Sequence, residues 1–316
     1  MGARIFVSAP LPGDAVARLA AVADVVVGKI GEGVAGEAFA GDFDAIVSML
    51  TDRIDAALLA RVPSVRLVAN VAVGFDNVDR DACKARGVTV TNTPGVLTEA
   101  SADLAFALLL AAARRIPEAD RFVRAGEFTH WAPTLMIGKR VHGATLGIIG
   151  MGRIGQAVAR RARGFGMHVL YNQRNALAPE LDRALGATFA PLDAIFASSD
   201  FVSLHCPLTP DTRHIVSRER LAQMRPGAIL VNTARGPCVD EAALAHALVH
   251  GPLAAAALDV FEDEPRVHPA LLTLSNIVLA PHIGSADAPT RHAMSSMAIE
   301  SVMAILEGRP AANRVV

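Results

Sequence analysis

The sequence has few cysteines, almost no net charge and no long apolar run. Its 30 basic and 31 acidic side chains give a formal net charge of −1, which provides no electrostatic attraction to nucleic acid or to an anionic membrane. The longest apolar run, Leu104–Ala113, is too short to cross a bilayer. We therefore expect no nucleic-acid partner and no membrane-spanning segment.

The cysteines exclude further kinds of site. Cys83, Cys206 and Cys238 lack the spacing of metal ligands, and three cysteines cannot all pair within one chain. No basic segment followed by an apolar signal core precedes the first predicted strand, Ile5–Val7. These features predict a protein of the reducing cytoplasm that holds no metal.

Apolar residues, in contrast, are abundant. The 316 residues are 52% hydrophobic and 19% charged, and a chain of this length favours two domains over a single core. In residues 1–95, short apolar segments alternate with helical ones, which predicts a parallel sheet covered by helices on both faces. The predicted strands are Ile5–Val7, Val25–Val27, Ala45–Val47, Leu67–Ala69 and Val88–Thr91, and the predicted helices are Gly13–Ala23, Asp55–Arg61 and Asp79–Arg86.

The middle of the chain predicts a buried helix followed by a second α/β unit. Thr98–Arg115 is apolar on almost every side, which indicates a buried helix between domains; helical propensity ends near Pro117, and residues 126–143 read as a loop that contains Trp131. From Thr145 onward the spacing of strands suits a Rossmann sheet, for which we expect six strands. Segments that read as strands lie near Thr145, Tyr171, Ala187–Phe189, Phe201–Leu204, Ile229–Asn232, Ala254–Leu258 and Ile277–Ala280, one more than that number. An amphipathic helix, Thr290–Gly308, should return to the first domain.

A glycine motif opens the second unit. The segment Thr145-Leu-Gly-Ile-Ile-Gly150-Met-Gly152-Arg-Ile-Gly155 contains G-x-G-x-x-G between an apolar strand and a helical stretch, and a second strand ends near Tyr171. The first glycine permits the tight turn, the second lets a pyrophosphate approach the backbone, and the third lets helix and strand pack closely. The positive end of the helix dipole then faces the phosphates. The motif predicts a dinucleotide site; the alternative is a glycine-rich turn without a ligand.

The end of the second strand bears on the choice of dinucleotide. An acidic residue about 20 residues past the glycines normally accepts a hydrogen bond from the ribose 2′-hydroxyl of NAD. This chain has Gln173 and Arg174 there. A guanidinium would attract a 2′-phosphate, so NADP(H) is the expected cofactor, with NAD(H) possible. The alternative is a solvated arginine that merely follows the strand.

Several segments together resemble the D-isomer-specific 2-hydroxyacid dehydrogenases, and they occur in the order typical of that family. The similarity covers nearly the whole chain, and within the family it is greatest to the glyoxylate/hydroxypyruvate reductase branch. The segments are Asn70–Asp79, Thr91–Asp103, Leu146–Gly155, His205–Thr212, Val231–Gly236, Leu258–Pro265 and Ala280–Gly284. The resemblance implies two Rossmann-like or flavodoxin-like α/β domains with parallel sheets and an inter-domain cleft. The substrate domain would comprise residues 1–96 plus 285–316, and the dinucleotide domain residues 97–284.

The resemblance implies three catalytic residues. Arg235 would pair with the substrate carboxylate and polarise the keto oxygen, since its guanidinium fork suits a carboxylate. His282 would donate a proton to that oxygen, and Glu264 would hold the other ring nitrogen and favour the imidazolium. Taken singly, these residues could also be a surface arginine, a solvent-facing glutamate and a loop histidine.

Further positions follow from the same resemblance. Val73 and Gly74 would offer backbone N–H groups to the substrate carboxylate, and Leu50 would line the substrate pocket or belong to the core. Asp259 would accept a hydrogen bond from the nicotinamide amide or cap a turn. Cys206 is expected to be a packing residue. The implied dinucleotide-binding set is Thr98, Gly150, Gly152, Arg153, Ile154, Gly155, Gln173, Arg174, His205, Cys206, Pro207, Thr212, Thr233, Ala234, Asp259 and Gly284.

The expected function is NAD(P)H-dependent reduction of glyoxylate or hydroxypyruvate to the D-2-hydroxy acid. Alternatives are a reductase of 2-ketogluconate or another 2-keto acid, a phosphoglycerate dehydrogenase, and, in a different class, a dinucleotide-sensing corepressor-like interaction protein. The loop that carries Trp131 resembles one that reaches a neighbouring subunit, so a homodimer is also expected.

Overall fold

The computed structural model describes residues 2–316, which divide into two compact units. One unit contains the residues through Leu97 together with Ser285–Val316, and the other contains Thr98–Gly284. Each unit holds one sheet, and all the strand pairs of both sheets are parallel. The predicted fold class, α/β with two parallel sheets, is confirmed.

The elements of the described residues follow in chain order. The strands are β1 (Arg4–Val7), β2 (Asp24–Val27), β3 (Ala45–Ser48), β4 (Leu67–Asn70), β5 (Thr89–Thr91), β6 (Thr145–Ile149), β7 (His168–Asn172), β8 (Ala187–Phe189), β9 (Phe201–Leu204), β10 (Ala228–Asn232), β11 (Leu253–Leu258) and β12 (Ile277–Leu279). The α-helices are α1 (Ala15–Ala20), α2 (Ala56–Arg61), α3 (Arg80–Ala85), α4 (Thr98–Ala113), α5 (Ile116–Arg124), α6 (Arg153–Gly164), α7 (Pro179–Leu185), α8 (Leu192–Ser198), α9 (Arg218–Gln223), α10 (Glu241–His250), α11 (Pro269–Leu272) and α12 (Ala288–Leu306).

The first unit has the strand order β2-β1-β3-β4-β5, which is the order of the flavodoxin-like sheet. Its central strands β3 and β4 are buried at every residue, as expected for a parallel sheet covered on both faces. The switch point lies between β1 and β3. Because the carboxyl ends of parallel strands meet at one edge, the turns after β3 and β4 lie at the same edge of this sheet.

The second unit has the order β12-β11-β10-β9-β6-β7-β8, which is the Rossmann order with a seventh strand added. The order reverses between β6 and β9, so the crevice outside their carboxyl ends is where open α/β sheets bind ligands. Half of the residues of α4 are buried, and the helix packs on α6, β10 and β11. Among the helices of residues 2–316, none combines the length and the apolar character that a membrane crossing requires.

Three details of the sequence-based expectation were wrong. The sheet of the second unit has seven strands, each at a predicted segment, so only the expected number of six was wrong. Helical structure does not end near Pro117, because a new helix, α5, starts at Ile116 and Pro117 lies in its first turn, where the missing N–H needs no partner. The last helix is not sharply amphipathic: the buried residues Ser295 and Ser301 donate hydroxyl hydrogen bonds to carbonyls one turn earlier, so polar residues occupy the core side.

Candidate active site

Two of the three motif glycines are required by the fold itself. Gly150 has φ +97°, and a Cβ there would lie 2.5 Å from the backbone nitrogen of Cys206. A Cβ on Gly155 would overlap the carbonyl of Gly150. At Gly152, in contrast, φ is −74° and a Cβ would meet nothing within 4 Å. Packing and backbone conformation therefore do not explain Gly152, whereas the close approach of a ligand would.

Helix α6 begins at this glycine turn. Its N-cap residue is Gly152, which has no side chain to cap the helix, and its first turn contains no acidic residue. The first N–H groups of a helix lack partners within the helix, and the helix dipole gives them a partial positive charge. Gly152 and Arg153 are exposed beside them. These residues fit a dinucleotide pyrophosphate.

The end of β7 contains no carboxylate. Gln173 follows the strand and donates a hydrogen bond from Nε2 to the carbonyl of Asn175, at 2.8 Å. Arg174 is exposed, and its guanidinium forms no ion pair with a described residue. This strand end is therefore compatible with an anionic group beside the dinucleotide ribose.

The residues after β9 pack against the glycine turn. The backbone of His205 and Cys206 lies against Gly150. His205 Nε2 lies 2.9 Å from the hydroxyl oxygen of Ser203, and burial lowers the pKa of His205 to about 4, so the ring is neutral near pH 7. Thr212 donates to the carbonyl of Pro207 at 2.6 Å, which closes the loop that follows.

The Cys206 thiol is buried next to that of Cys238. The hydrogen bond with Cys238 and burial both raise the pKa of Cys206 well above the usual thiol value. A thiol that stays protonated is a poor nucleophile, which agrees with a packing role.

His282 and Glu264 contact each other directly. Nδ1 of His282 lies 2.8 Å from Oε2 of Glu264, and Oε1 of Glu264 accepts a hydrogen bond from the backbone N–H of Phe261 at 3.0 Å. Burial raises the pKa of Glu264, but the hydrogen bond and charge of His282, with a contribution from Arg235, outweigh it and hold the pKa below its usual value. The carboxylate is therefore ionised near neutral pH and can stabilise a protonated imidazole.

Asp259 holds the turn that carries His282. Its carboxylate accepts hydrogen bonds from the backbone N–H groups of Ile283 at 2.7 Å and Gly284 at 2.8 Å, and its carbonyl accepts from that of His282 at 2.9 Å. The side chain is buried, and burial raises its pKa. His282 adopts φ +54°, a left-handed conformation that is uncommon for residues other than glycine. The sequence did not reveal this contact, because the partners lie on different strand ends.

Arg235 lies in the turn after β10, close to the turn of Glu264. Its Nη1 donates to the carbonyl of Ala234 at 2.7 Å, and its own carbonyl accepts from Nδ2 of Asn232 at 2.9 Å. The next residue, Gly236, packs so closely on Phe261 that a Cβ would overlap the Phe261 carbonyl. The turns of Arg235 and Glu264 are thus in backbone contact. The hydroxyl of Thr233 beside them is buried without a hydrogen-bond partner in the described chain, as expected where a ligand supplies one.

The first unit presents a separate group of backbone donors. After β4, Asn70 Nδ2 donates to the carbonyl of Gly74 and Asn92 Nδ2 to that of Val73, both at 2.8 Å. In a trans peptide the N–H points opposite to the carbonyl. The two asparagine side chains therefore orient the N–H groups of Gly74 and Phe75 away from the asparagines. The N–H groups of Val73, Gly74 and Phe75 donate to no described residue. The predictions missed Asn70 and Asn92, although their place at strand ends was a usable signal.

The structure places the remaining predicted residues as follows. Leu50, half-buried, follows β3 in the first unit. Thr98 is the first residue of α4, Ile154 lies in the first turn of α6, Ala234 is buried after β10, and Gly284 lies beside the Asp259 carboxylate. Trp131 is 76% exposed.

Comparison with known proteins assigns a family to this chain. Residues 106–284 match the model of the D-isomer specific 2-hydroxyacid dehydrogenase, NAD binding domain. A glyoxylate reductase of Thermococcus onnurineus (strain NA1) is 52% identical over 271 residues, which cover 84% of this chain and 81% of the relative.

Solved structures agree with the family. A protein of Thermus thermophilus is 44% identical with a TM-score of 0.92, over 99% of this chain and 100% of that one. An NADPH-dependent glyoxylate/hydroxypyruvate reductase from Sinorhizobium meliloti, solved in complex with NADP and malonate, is 35% identical with a TM-score of 0.90, over 100% of this chain and 97% of the other. The resemblance inferred from the sequence is confirmed: this chain belongs to the D-isomer-specific 2-hydroxyacid dehydrogenases and is an oxidoreductase with a nicotinamide dinucleotide-binding domain.

Proposed function

We propose that this enzyme reduces glyoxylate and hydroxypyruvate to the corresponding D-2-hydroxy acids and prefers NADPH as the reductant. The observation that carries the proposal is the hydrogen bond between His282 and Glu264, at the same sheet edge as the turn of Arg235. An acid, its carboxylate partner and a cation for the substrate carboxylate are the groups that keto-acid reduction requires. The names of the relatives at about half identity support the choice of substrate.

In this mechanism Arg235 binds the substrate carboxylate and polarises the keto oxygen. A bound reduced nicotinamide dinucleotide supplies the hydride. Nε2 of His282, which bonds to no described residue, donates the proton to the oxygen as negative charge develops on it. Glu264 keeps Nδ1 protonated and stabilises the imidazolium, and Asp259 keeps the histidine turn in place. The negative charge of Glu264 thus remains on the far side of the ring from the substrate.

The first unit would supply further contacts to the substrate. The unpaired N–H groups at Val73 and Gly74 suit a carboxylate, and Leu50 would limit the size of the group beyond the keto carbon.

The dinucleotide would bind along the carboxyl edge of the second unit. The N–H groups at the start of α6, beside Gly152, Arg153 and Ile154, would bind the pyrophosphate, and Arg174 would pair with the 2′-phosphate of NADPH. The remaining proposed contacts are Thr98, Gly150, Gly155, Gln173, His205, Cys206, Pro207, Thr212, Thr233, Ala234, Asp259 and Gly284. The absence of an acidic residue at the end of β7 supports NADPH over NADH.

We also propose a homodimer. Between residues 116 and 137 the second unit exposes six large apolar side chains, and large exposed apolar surfaces are typical of protein interfaces. These side chains are Ile116, Val123, Phe128, Trp131, Leu135 and Ile137. Sedimentation equilibrium should show a dimer, and Trp131→Ser combined with Ile137→Ser should shift it toward monomer. A monomeric parent protein would refute the proposal.

A substrate panel tests the proposed reaction. Oxidation of NADPH and of NADH should be followed with glyoxylate, hydroxypyruvate, pyruvate and 2-ketogluconate. We expect the highest kcat/KM for NADPH with glyoxylate or hydroxypyruvate. A higher kcat/KM with 2-ketogluconate would reassign the substrate, equal values for the two cofactors would remove the NADPH preference, and inactivity on all four acids would refute the function.

A further inference from the structure

A buried carboxylate outside the proposed catalytic trio contacts the loop that carries Glu264. Glu241 is the first residue of α10, and only 3% of its surface is exposed. Acidic residues are common in the first turn of a helix, where their negative charge interacts favourably with the positive end of the helix dipole, but such residues are normally solvated. The burial of Glu241 therefore requires another explanation.

The contacts of Glu241 lie in a loop distant in sequence. Oε1 accepts a hydrogen bond from the backbone N–H of Glu262 at 2.7 Å, and Oε2 accepts one from the N–H of His268 at 3.3 Å. The cap of α10 itself is supplied by Asp240, whose side chain accepts from the N–H of Ala243. The Glu241 carboxylate is thus not needed for its own helix, and it joins two points of the loop after β11.

These two points bracket Glu264. Residue 262 precedes Glu264 by two positions and residue 268 follows it by four, so one carboxylate fixes both ends of the segment. Within the segment, Glu264 bonds to Phe261 N–H and to Nδ1 of His282. A second contact restrains the same loop from outside, since Nε2 of His214 lies 2.6 Å from Oε1 of Glu262.

Burying this carboxylate costs free energy, and the same burial raises the pKa of Glu241. Hydrogen bonds from two backbone N–H groups offset part of it. An apolar residue would fill the same space without that cost, but it could not fix the two backbone positions.

We propose that Glu241 is a positioning residue for catalysis: it holds the 262–268 loop so that Glu264 meets Nδ1 of His282. This inference rests on the proposed function of the His282–Glu264 pair. It predicts a loss in the chemical step without a loss in dinucleotide binding, because the proposed pyrophosphate and 2′-phosphate contacts follow β6 and β7, not β11.

The test compares Glu241→Ala and Glu241→Gln with Asp44→Ala. Asp44 is a suitable control because its carboxylate also joins distant segments, accepting the backbone N–H of Arg4 at 2.8 Å, but in the first unit before β3. The measurements are kcat and KM with glyoxylate and NADPH, the Kd of NADPH from its fluorescence, Tm, and the downfield proton resonance of the His282 Nδ1–H, identified by its loss in His282→Gln.

We expect Glu241→Ala to lower kcat at least about tenfold, to leave the Kd of NADPH within about twofold, and to weaken or broaden the His282 resonance. Glu241→Gln keeps one acceptor oxygen and should show a smaller loss, and it decides the question if the alanine variant does not fold. Asp44→Ala should lower Tm without changing kcat or the resonance.

Two results separate the failure of this inference from failure of the proposed function. If the parent enzyme is active and the Glu241 variants keep its kcat and its His282 resonance, the positioning role is refuted and the function stands. If the parent enzyme reduces no keto acid, the function is refuted, while the resonance still reports whether Glu241 positions Glu264.

Discussion

Nδ1 of His282 lies 2.8 Å from Oε2 of Glu264, although the two residues are 18 positions apart and follow different strands. The remaining ring nitrogen, Nε2, bonds to no described residue. The pair can therefore deliver a proton from Nε2 while Glu264 stabilises the charge on the ring.

His282→Gln should reduce kcat for keto-acid reduction by about 10²–10⁴-fold, because the proton donor is lost. Glu264→Gln should have a smaller effect, since the imidazole remains. Steady-state kinetics near pH 7 measure both losses, and unchanged Kd values for NADPH would confirm intact folding. A kcat within a few-fold of the parent in His282→Gln would contradict the role.

The low pKa of Glu264 has a consequence for stability. A carboxyl whose pKa is lower in the folded than in the unfolded chain stabilises the fold above its unfolded pKa, and this contribution is lost as the pH falls through the folded value. Glu264→Gln should lower Tm near pH 7 by an amount equivalent to about 1–3 kcal/mol, the typical worth of a charge-assisted hydrogen bond. The difference from the parent protein should narrow below pH 4. Calorimetric scans from pH 3 to 7 test this; a difference independent of pH would contradict it.

The glycines can be separated into two classes by alanine substitution. Gly152→Ala has room for its Cβ, so the free energy of unfolding, followed through Tm, should change by less than about 0.5 kcal/mol. The Kd of NADPH should nevertheless rise at least about tenfold, because the methyl group meets the pyrophosphate. Gly236→Ala should instead destabilise the second unit by about 1–3 kcal/mol or more, since its Cβ overlaps the Phe261 carbonyl. Equal Kd values for parent and Gly152→Ala would place the pyrophosphate elsewhere.

Arg174→Asp should change the cofactor preference from NADPH to NADH. The carboxylate would repel the 2′-phosphate and could accept a hydrogen bond from the ribose hydroxyl, so the ratio of the two kcat/KM values should shift by about 10–100-fold. Arg218→Asp is the matched control, because Arg218 is an exposed arginine of the same unit and the change in net charge is equal. An equal shift in both variants would indicate a general charge effect.

Asn92→Ala should raise the KM for glyoxylate about tenfold, the equivalent of about 1.4 kcal/mol. Without the hydrogen bond to the carbonyl of Val73, the Val73–Gly74 peptide can rotate, and the Gly74 N–H would lose the orientation in which we propose that it binds the substrate carboxylate. The KM for NADPH should not change. If both KM values rise together, the effect is on folding and not on substrate orientation.

The sequence by itself determined the two parallel sheets, the glycine turn and the positions of Arg235, Glu264 and His282 at strand ends. These features depend on local order: apolar strands alternate with helices, and glycine occurs where backbone or ligand approaches closely. The sequence could not show that Asp259 holds the turn of His282 or that Gly236 packs on Phe261. Nor could it show that Glu241, Asn70 and Asn92 hold backbone segments that are distant in sequence. Only the tertiary structure decided these contacts, because strands far apart in the chain end at one edge of a sheet, and the partners of a polar side chain there depend on strand order, which residue spacing does not encode.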